Sequence, residues 1–218
     1  VSKIKIASSK NPKNAAESFE HALAALTRGE VIVFPTETLY GLGADALNSR
    51  AVDKVFQLKG RDRHNPIPVL IADPAMLDMV VATIPKIAKA LMDTFWPGPL
   101  TLVLPARRDI PKPLVNASGG IGVRISSRPI ATQLVAGLAR PLTATSANPS
   151  GREPARTVAE AKGYFSDKIE VFIDGGTLVS KTGSTVAEVL KSKVKIIREG
   201  EITASALAQA IGRRGVAR

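Results

Sequence analysis

Short aliphatic runs alternate with amphipathic stretches along this chain, and few architectures accept that order. The runs "EVIVF", "IPVLIA", "PLTLVLPA", "IGVRIS", "PLTATSA", "IEVFID", "STVAEVL" and "KVKIIRE" have the length and composition of strands. Between them stand "NAAESFEHALAALTRG", "SRAVDKVFQLKG", "PAMLDMVVAT", "PKIAKALMDTFW", "PIATQLVAGLA", "TVAEAKGYF" and "TASALAQAIG", which read as helices. In the first, Phe19, Leu23 and Leu26 keep the helical period, Asn14 and Glu17 are spaced as in a capping box, and Gly29 can end it. In the second, Val52, Val55, Phe56 and Lys59 fall close to one face. Pro74 and Pro85 suit helix starts. This order predicts an α/β protein with a twisted sheet flanked by helices. Several strands follow one another with no helix between, so the sheet is expected to mix parallel and antiparallel pairs. There is no repeat, low-complexity stretch or Pro/Ser-rich linker. One domain over residues 1–218 is expected, with a core at about 15–200 and a frayed basic tail at 213–218.

Composition narrows the function. Hydrophobic residues make up 44% and aromatics only 4%, so a sizeable but aliphatic core is expected. The absence of cysteine excludes disulfides and thiolate metal sites. His21 and His64 are the two histidines, too few for a histidine-rich metal site, and no metal ligand set is assigned. The start "VSKIKIASSK" lacks a signal-peptide core, and no run approaches the roughly 18 apolar residues of a membrane span. A soluble cytoplasmic protein is expected. Lys plus Arg is 30 against 19 Asp plus Glu, a net +11 that favours polyanionic partners, either nucleotides or nucleic acid.

Three segments carry candidate chemistry. In "VIVFPTETLYGLGAD" an apolar strand stops at Pro35 and delivers Thr36, Glu37, Thr38 and Tyr40 to what reads as a loop. Ligands of α/β proteins commonly sit beyond such strand ends. Gly41 and Gly43 allow close approach or positive φ, and Glu37 suits holding an ammonium group or orienting a neighbour. In "LKGRDRHNP", Lys59, Arg61 and Arg63 lie within five residues, where an anion would relieve their repulsion. Asn65 adds a further polar contact. In "PLTATSANPSGREPART", a second strand end brings Ser146 and Asn148, with Arg152 and Arg156 close behind. Arg124 lies between Val123 and Ile125, and a cation inside an apolar strand requires a carboxylate from the protein or from a ligand. Ser184 and Arg198 mark two more strand ends. Each segment alone also fits an ordinary turn or a solvated charge run.

Taken in order, "PTETLYGLGAD", "KGRDRHNPI", "GVRIS", "TSANPSG" and "GSTVAEV" resemble the YrdC/TsaC family, the threonylcarbamoyl-AMP synthases, over roughly residues 15 to 200. The resemblance implies a YrdC-like domain with a wide basic cavity. It implies the synthesis of L-threonylcarbamoyl-AMP and pyrophosphate from L-threonine, bicarbonate and ATP, for the threonylcarbamoyladenosine modification of tRNA. Carried over by position, Thr38, Arg124 and Ser184 would hold threonine. Lys59, Arg61, Asn65, Ser146, Asn148 and Arg198 would hold ATP, with Lys59 and Arg61 neutralising phosphate charge during catalysis. Mg²⁺ is expected with ATP, and the downstream tRNA threonylcarbamoyl-transferase proteins are expected partners. Two positions depart from the pattern. Asp62 stands where many relatives have proline, and Glu188 where aspartate is common. The short form is expected, without the C-terminal domain of longer relatives. The rival expectation is a non-catalytic module binding double-stranded RNA or tRNA through its basic surface. A carbamoyl-transfer domain of the hydrogenase-maturation type is a further alternative, but such domains come with acylphosphatase and zinc-finger segments absent here.

Overall fold

The structure, a computed structural model, describes residues 5–8, 12–180, 182–191, 193–212 and 216–217, and side chains within residues 17–212 of those ranges. In chain order the elements are β1 (Lys5–Ser8), α1 (Pro12–Thr27), β2 (Ile32–Pro35), β3 (Tyr40–Gly43), α2 (Ser49–Lys59), β4 (Val69–Leu70), α3 (Lys86–Phe95) and β5 (Leu100–Pro105). Then come β6 (Gly120–Arg124), α4 (Pro129–Leu138), β7 (Leu142–Thr143), β8 (Thr145–Ser146), α5 (Val158–Phe165), β9 (Val171–Asp174), β10 (Thr185–Leu190), β11 (Lys193–Arg198), α6 (Ala204–Ile211) and β12 (Val216–Ala217).

The strands form two sheets, ordered β1-β9-β2-β3-β8 and β12-β11-β10-β5-β6-β4-β7. Both mix directions, as the helix-free strand successions predict. In the first, β2 runs parallel to β9 and antiparallel to β3. In the second, β5 runs parallel to β10 and antiparallel to β6. The division into two sheets departs from the single sheet expected. The cause lies in "PLTATSA", which reads as one strand but serves both sheets. Leu142 and Thr143 pair with β4, Thr145 and Ser146 pair with β3, and the Ala144 N–H between them bonds the Pro68 carbonyl at 2.9 Å.

Other boundaries move for local reasons. "YGLG" is a strand, not a loop, and pairs with β2 in a hairpin. The turn chemistry of "TET" and two glycines hides it. Those glycines serve close packing: a Cβ on Gly43 would lie 2.8 Å from Cε1 of the buried Phe34 ring. Gly43→Ala is therefore expected to cost about 1–3 kcal/mol by overpacking, read as a lower urea midpoint. "PAMLDMVVAT" forms only a 3-10 turn, Pro74–Met79, whose Asp73 cap accepts from the Ala75 and Met76 N–H groups. "IPVLIA" is a strand only at Val69–Leu70. The first helix opens at Pro12, so Asn14 is inside it and is not its cap. The side chain of Asn14 lies outside the described residues, as does most of the tail at 213–218.

Helices α1 and α4 cover the five-stranded sheet, where Ala22, Leu26, Phe34, Leu134 and Ile173 share one cluster. A larger cluster joins both sheets, with Val33 and Tyr40 from one and Leu102 and Val123 from the other. That shared core holds the facing strand ends in fixed relation. Among the described residues no helix is long and apolar enough to cross a membrane.

Candidate active site

Two local devices place the "KGR" cations. Asn48 caps α2 by accepting from the Arg50 and Ala51 N–H groups, and Gly60, with φ 57°, ends it in the left-handed region. Lys59 ends the helix on its buried side, and Arg61, past the reversal, lines the cavity between the sheets. Lys59 is only 3% exposed, and its Nζ donates to Ser146 O at 2.6 Å, Asn148 O at 2.8 Å and Asn148 Oδ1 at 3.4 Å. Its own carbonyl accepts from the Ser150 N–H at 2.7 Å. Lys59 is an expected phosphate contact; its ammonium here bonds the end of β8 and the segment that follows, and Lys59 is not among the residues lining the cavity. Burial, with the neighbouring Arg61 second, pulls its pKa down to about 7. The three oxygen acceptors pull the other way, since a neutral amine has only two N–H groups to give.

Asn148 is also buried, and its Nδ2 donates to Pro149 O at 3.0 Å and Arg152 O at 2.6 Å. This loop closure is what a buried Asn with local carbonyls in reach satisfies, and Asn148 is not among the residues lining that cavity.

The other expected residues line one cavity of about 490 Å³ between the sheets: Thr38, Arg61, Asn65, Arg124, Ser146, Ser184 and Arg198. None of the described residues on its wall is a carboxylate. Arg61 is held by its Nε donating to Asn65 O at 2.7 Å. Burial, then Arg198, lowers the Arg61 pKa. At the hairpin turn, Thr36 Oγ1 donates to Leu39 O at 2.8 Å, lies 3.0 Å from Thr38 Oγ1, and accepts from the Thr38 and Leu39 N–H groups. Ser184 Oγ lies 2.9 Å from Thr101 Oγ1, and Ser184 O accepts from Arg198 Nη2 at 2.7 Å. The Tyr40 hydroxyl donates to Gly176 O at 2.8 Å and accepts from the Gly175 N–H at 2.9 Å, and burial pushes it up to about 12.

The carboxylate demanded by Arg124 is supplied by the protein. Arg124 Nη1 donates to Glu37 Oε1 at 2.6 Å, with side chains only 6% and 14% exposed. Glu37 Oε2 accepts from the Ser126 hydroxyl. Burial lowers the Arg124 pKa and the Glu37 charge raises it.

Thr101 and Asn116 also lie on the cavity wall, and neither stands out as a site residue in the sequence. Thr101 is a hydroxyl inside the apolar run "LTLVL", the same kind of signal that exposed Arg124. Asn116 reads as a plain turn residue, and its Oδ1 does cap the Ser118 and Gly120 N–H groups at 3.0 and 2.7 Å.

A two-sheet α/β fold with a cavity of arginines and hydroxyls at facing strand ends defines the class, and the chain belongs to the Sua5/YciO/YrdC family. The family model described as "Telomere recombination" matches residues 24–200. The chain is 35% identical over 204 residues to the threonylcarbamoyl-AMP synthase of Pyrococcus abyssi, covering 93% of this chain and 60% of the relative. It is 40% identical over 193 residues to that of Bacillus subtilis, covering 88% and 56%. The crystal structure of P. abyssi Sua5 complexed with L-threonine superposes with a TM-score of 0.86 at 35% identity, covering 91% of this chain and 58% of that one. The chain thus spans less than two thirds of the length of these relatives.

Proposed function

We propose that this chain makes L-threonylcarbamoyladenylate and pyrophosphate from L-threonine, bicarbonate and MgATP, as a nucleotidyltransferase feeding tRNA threonylcarbamoyladenosine modification. The observation that carries the reading is the cavity itself. Arg61, Arg124 and Arg198 meet the hydroxyls of Thr38, Ser146 and Ser184 on one wall set that lacks any described carboxylate. Such a wall suits a triphosphate beside a small polar acid.

The chemistry follows from that lining. Bicarbonate releases hydroxide and becomes CO₂, the neutral threonine nitrogen bonds its carbon, and the proton that leaves the nitrogen converts the hydroxide to water, leaving the carbamate. A carbamate oxygen then attacks the α-phosphorus. The bond from that phosphorus to the bridging oxygen breaks, and pyrophosphate departs. Arg61 and Arg198 offset charge growing on the phosphate oxygens. Asn65 and Ser146 hold the nucleotide, while Thr38, Arg124 and Ser184 hold threonine. Lys59 and Asn148 act from behind by fixing the segment that bears Ser146. Mg²⁺ arrives with ATP as part of the substrate, held by phosphates and water. Among the described residues no group of three or more His, Cys, Asp or Glu side chains could hold a metal.

The test is pyrophosphate release that requires both threonine and bicarbonate, with the adenylate identified by mass. Tight, salt-sensitive tRNA binding without pyrophosphate release would instead favour the RNA-binding module. Arg61→Ala is expected to weaken ATP binding by about 1.5–3 kcal/mol, measured by calorimetry at fixed salt. An unchanged affinity removes Arg61 from the nucleotide site.

A further inference from the structure

We infer that Glu37 is the positioning residue that sets how Arg124 meets the amino-acid carboxylate, an inference that rests on the threonine-site reading above. Glu37 stands between Thr36 and Thr38 at the tip of the β2–β3 hairpin, which belongs to the five-stranded sheet. Its carboxylate reaches across to the seven-stranded sheet, where Arg124 ends β6. Both carboxylate oxygens are engaged, one by Arg124 Nη1 at 2.6 Å and the other by the Ser126 hydroxyl. Glu37 is not on the cavity wall, whereas Arg124 is. The carboxylate therefore acts through the guanidinium and does not touch substrate.

The hold on Glu37 is itself built in. Ser126 Oγ accepts from the Arg128 N–H at 3.2 Å, and Arg128 Nη2 donates to Gly175 O at 2.6 Å. The Gly175 N–H in turn donates to the Tyr40 hydroxyl at 2.9 Å, which returns to the hairpin that carries Glu37. The ring of contacts thus closes on the same turn. Arg124 has five N–H donors, of which Glu37 takes one. Arg124 lines the cavity, and among the described residues no buried side-chain polar atom lacks a partner, so its Nε and Nη2 are not left buried and unpaired.

Two consequences follow. A guanidinium fixed at one corner presents its other edge in one plane, so a carboxylate meets it at no cost in side-chain ordering. The carboxylate of Glu37 also lies against Arg124 instead of beside the substrate amine. That amine must be neutral to form the carbamate, and an unpaired carboxylate in contact would favour its protonated form.

Glu37→Gln keeps the shape and removes the charge. One arm of the test needs no substrate: guanidinium NMR of Arg124. In wild type the Nη groups should rotate slowly; in Glu37→Gln they should average. The second arm is calorimetric binding of L-threonine and of L-threoninamide, which keeps the hydroxyl and amine but has no carboxylate. Threonine affinity should fall roughly 10–100-fold in the variant, and threoninamide affinity should stay within about twofold. A general loosening of the fold would weaken both ligands alike, and that result, or a guanidinium still locked in Glu37→Gln, overturns the proposal. Ser126→Ala, which keeps the ion pair and removes its second anchor, should show the same pattern at smaller size if Glu37→Gln proves unstable. Equal loss of both ligands there also overturns it. If wild type binds no threonine at all, the threonine-site reading fails, and the guanidinium arm alone decides the role of Glu37.

Discussion

Arg124→Leu is expected to abolish threonine-dependent pyrophosphate release while leaving ATP binding nearly intact. Leucine fills much of the space but donates nothing to a carboxylate. The substitution also strands Glu37, which is only 14% exposed and loses its cation. Breaking a buried pair from one side costs about 3–5 kcal/mol. Lost activity could then reflect lost fold, so the informative comparison is Arg124→Leu/Glu37→Gln. The double variant should recover most of the stability and none of the activity. In wild type, the hydroxyls of Thr38, Thr101 and Ser184 should read the threonine side chain. A site built to bond a hydroxyl can reject an analogue lacking it by about 10⁴–10⁵-fold, against roughly 10–200-fold for one missing methyl. Threonine should therefore exceed valine by a wide margin and serine by a narrower one. Pyrophosphate release with each amino acid measures this. Valine turnover equal to that of threonine, or full activity in Arg124→Leu, would place the pocket elsewhere.

Arg124 also marks what a sequence does and does not disclose. A cation between Val123 and Ile125 predicts a carboxylate partner, because the alternative is a buried unpaired charge. It does not say which carboxylate. Glu37 is 87 residues away in sequence, and only the meeting of two sheets brings it within 2.6 Å. Lys59 and Arg61 make the same point from the other side. Their spacing predicts a cation cluster, and one αL residue between them separates a buried Lys59 from an Arg61 on the cavity wall. Helix α2 is legible from the one-face spacing of Val52, Val55, Phe56 and Lys59, because that periodicity and its caps at Asn48 and Gly60 are local chemistry. The strand "YGLG" was not, since its glycines answer to the Phe34 ring and not to a turn. Nor was the split of "PLTATSA", because period-two patterning is the same whichever sheet a residue joins.

Lys59 should make stability depend on pH. Its pKa is about 7 in the folded protein, lowered by burial and then by Arg61, against 10.5 for an ordinary lysine. Between those values the unfolded chain binds more protons than the folded one. By linkage, stability then rises with pH across that window, and the contribution is lost as pH falls toward 7. Lys59→Met removes the titrating group and keeps most of its volume. It also leaves the Ser146 and Asn148 carbonyls without their donor, which costs roughly 1–3 kcal/mol for each one unpaired. The variant should therefore be less stable than wild type at all pH values. The gap should widen with pH above about 7, at no more than about 1.4 kcal/mol per unit. Function should move the opposite way. As the ammonium is lost, one of its three oxygen partners goes unserved and the segment bearing Ser146 loosens. The wild-type kcat/KM for ATP should fall on the alkaline side of about pH 7, whereas that of Lys59→Met, low throughout, should show no such limb. Denaturant unfolding and steady-state kinetics over the same pH series test both halves. A stability gap that stays constant across the window means that the carbonyls of Ser146 and Asn148 outweigh burial and hold Lys59 charged, and the alkaline limb must then belong to another group.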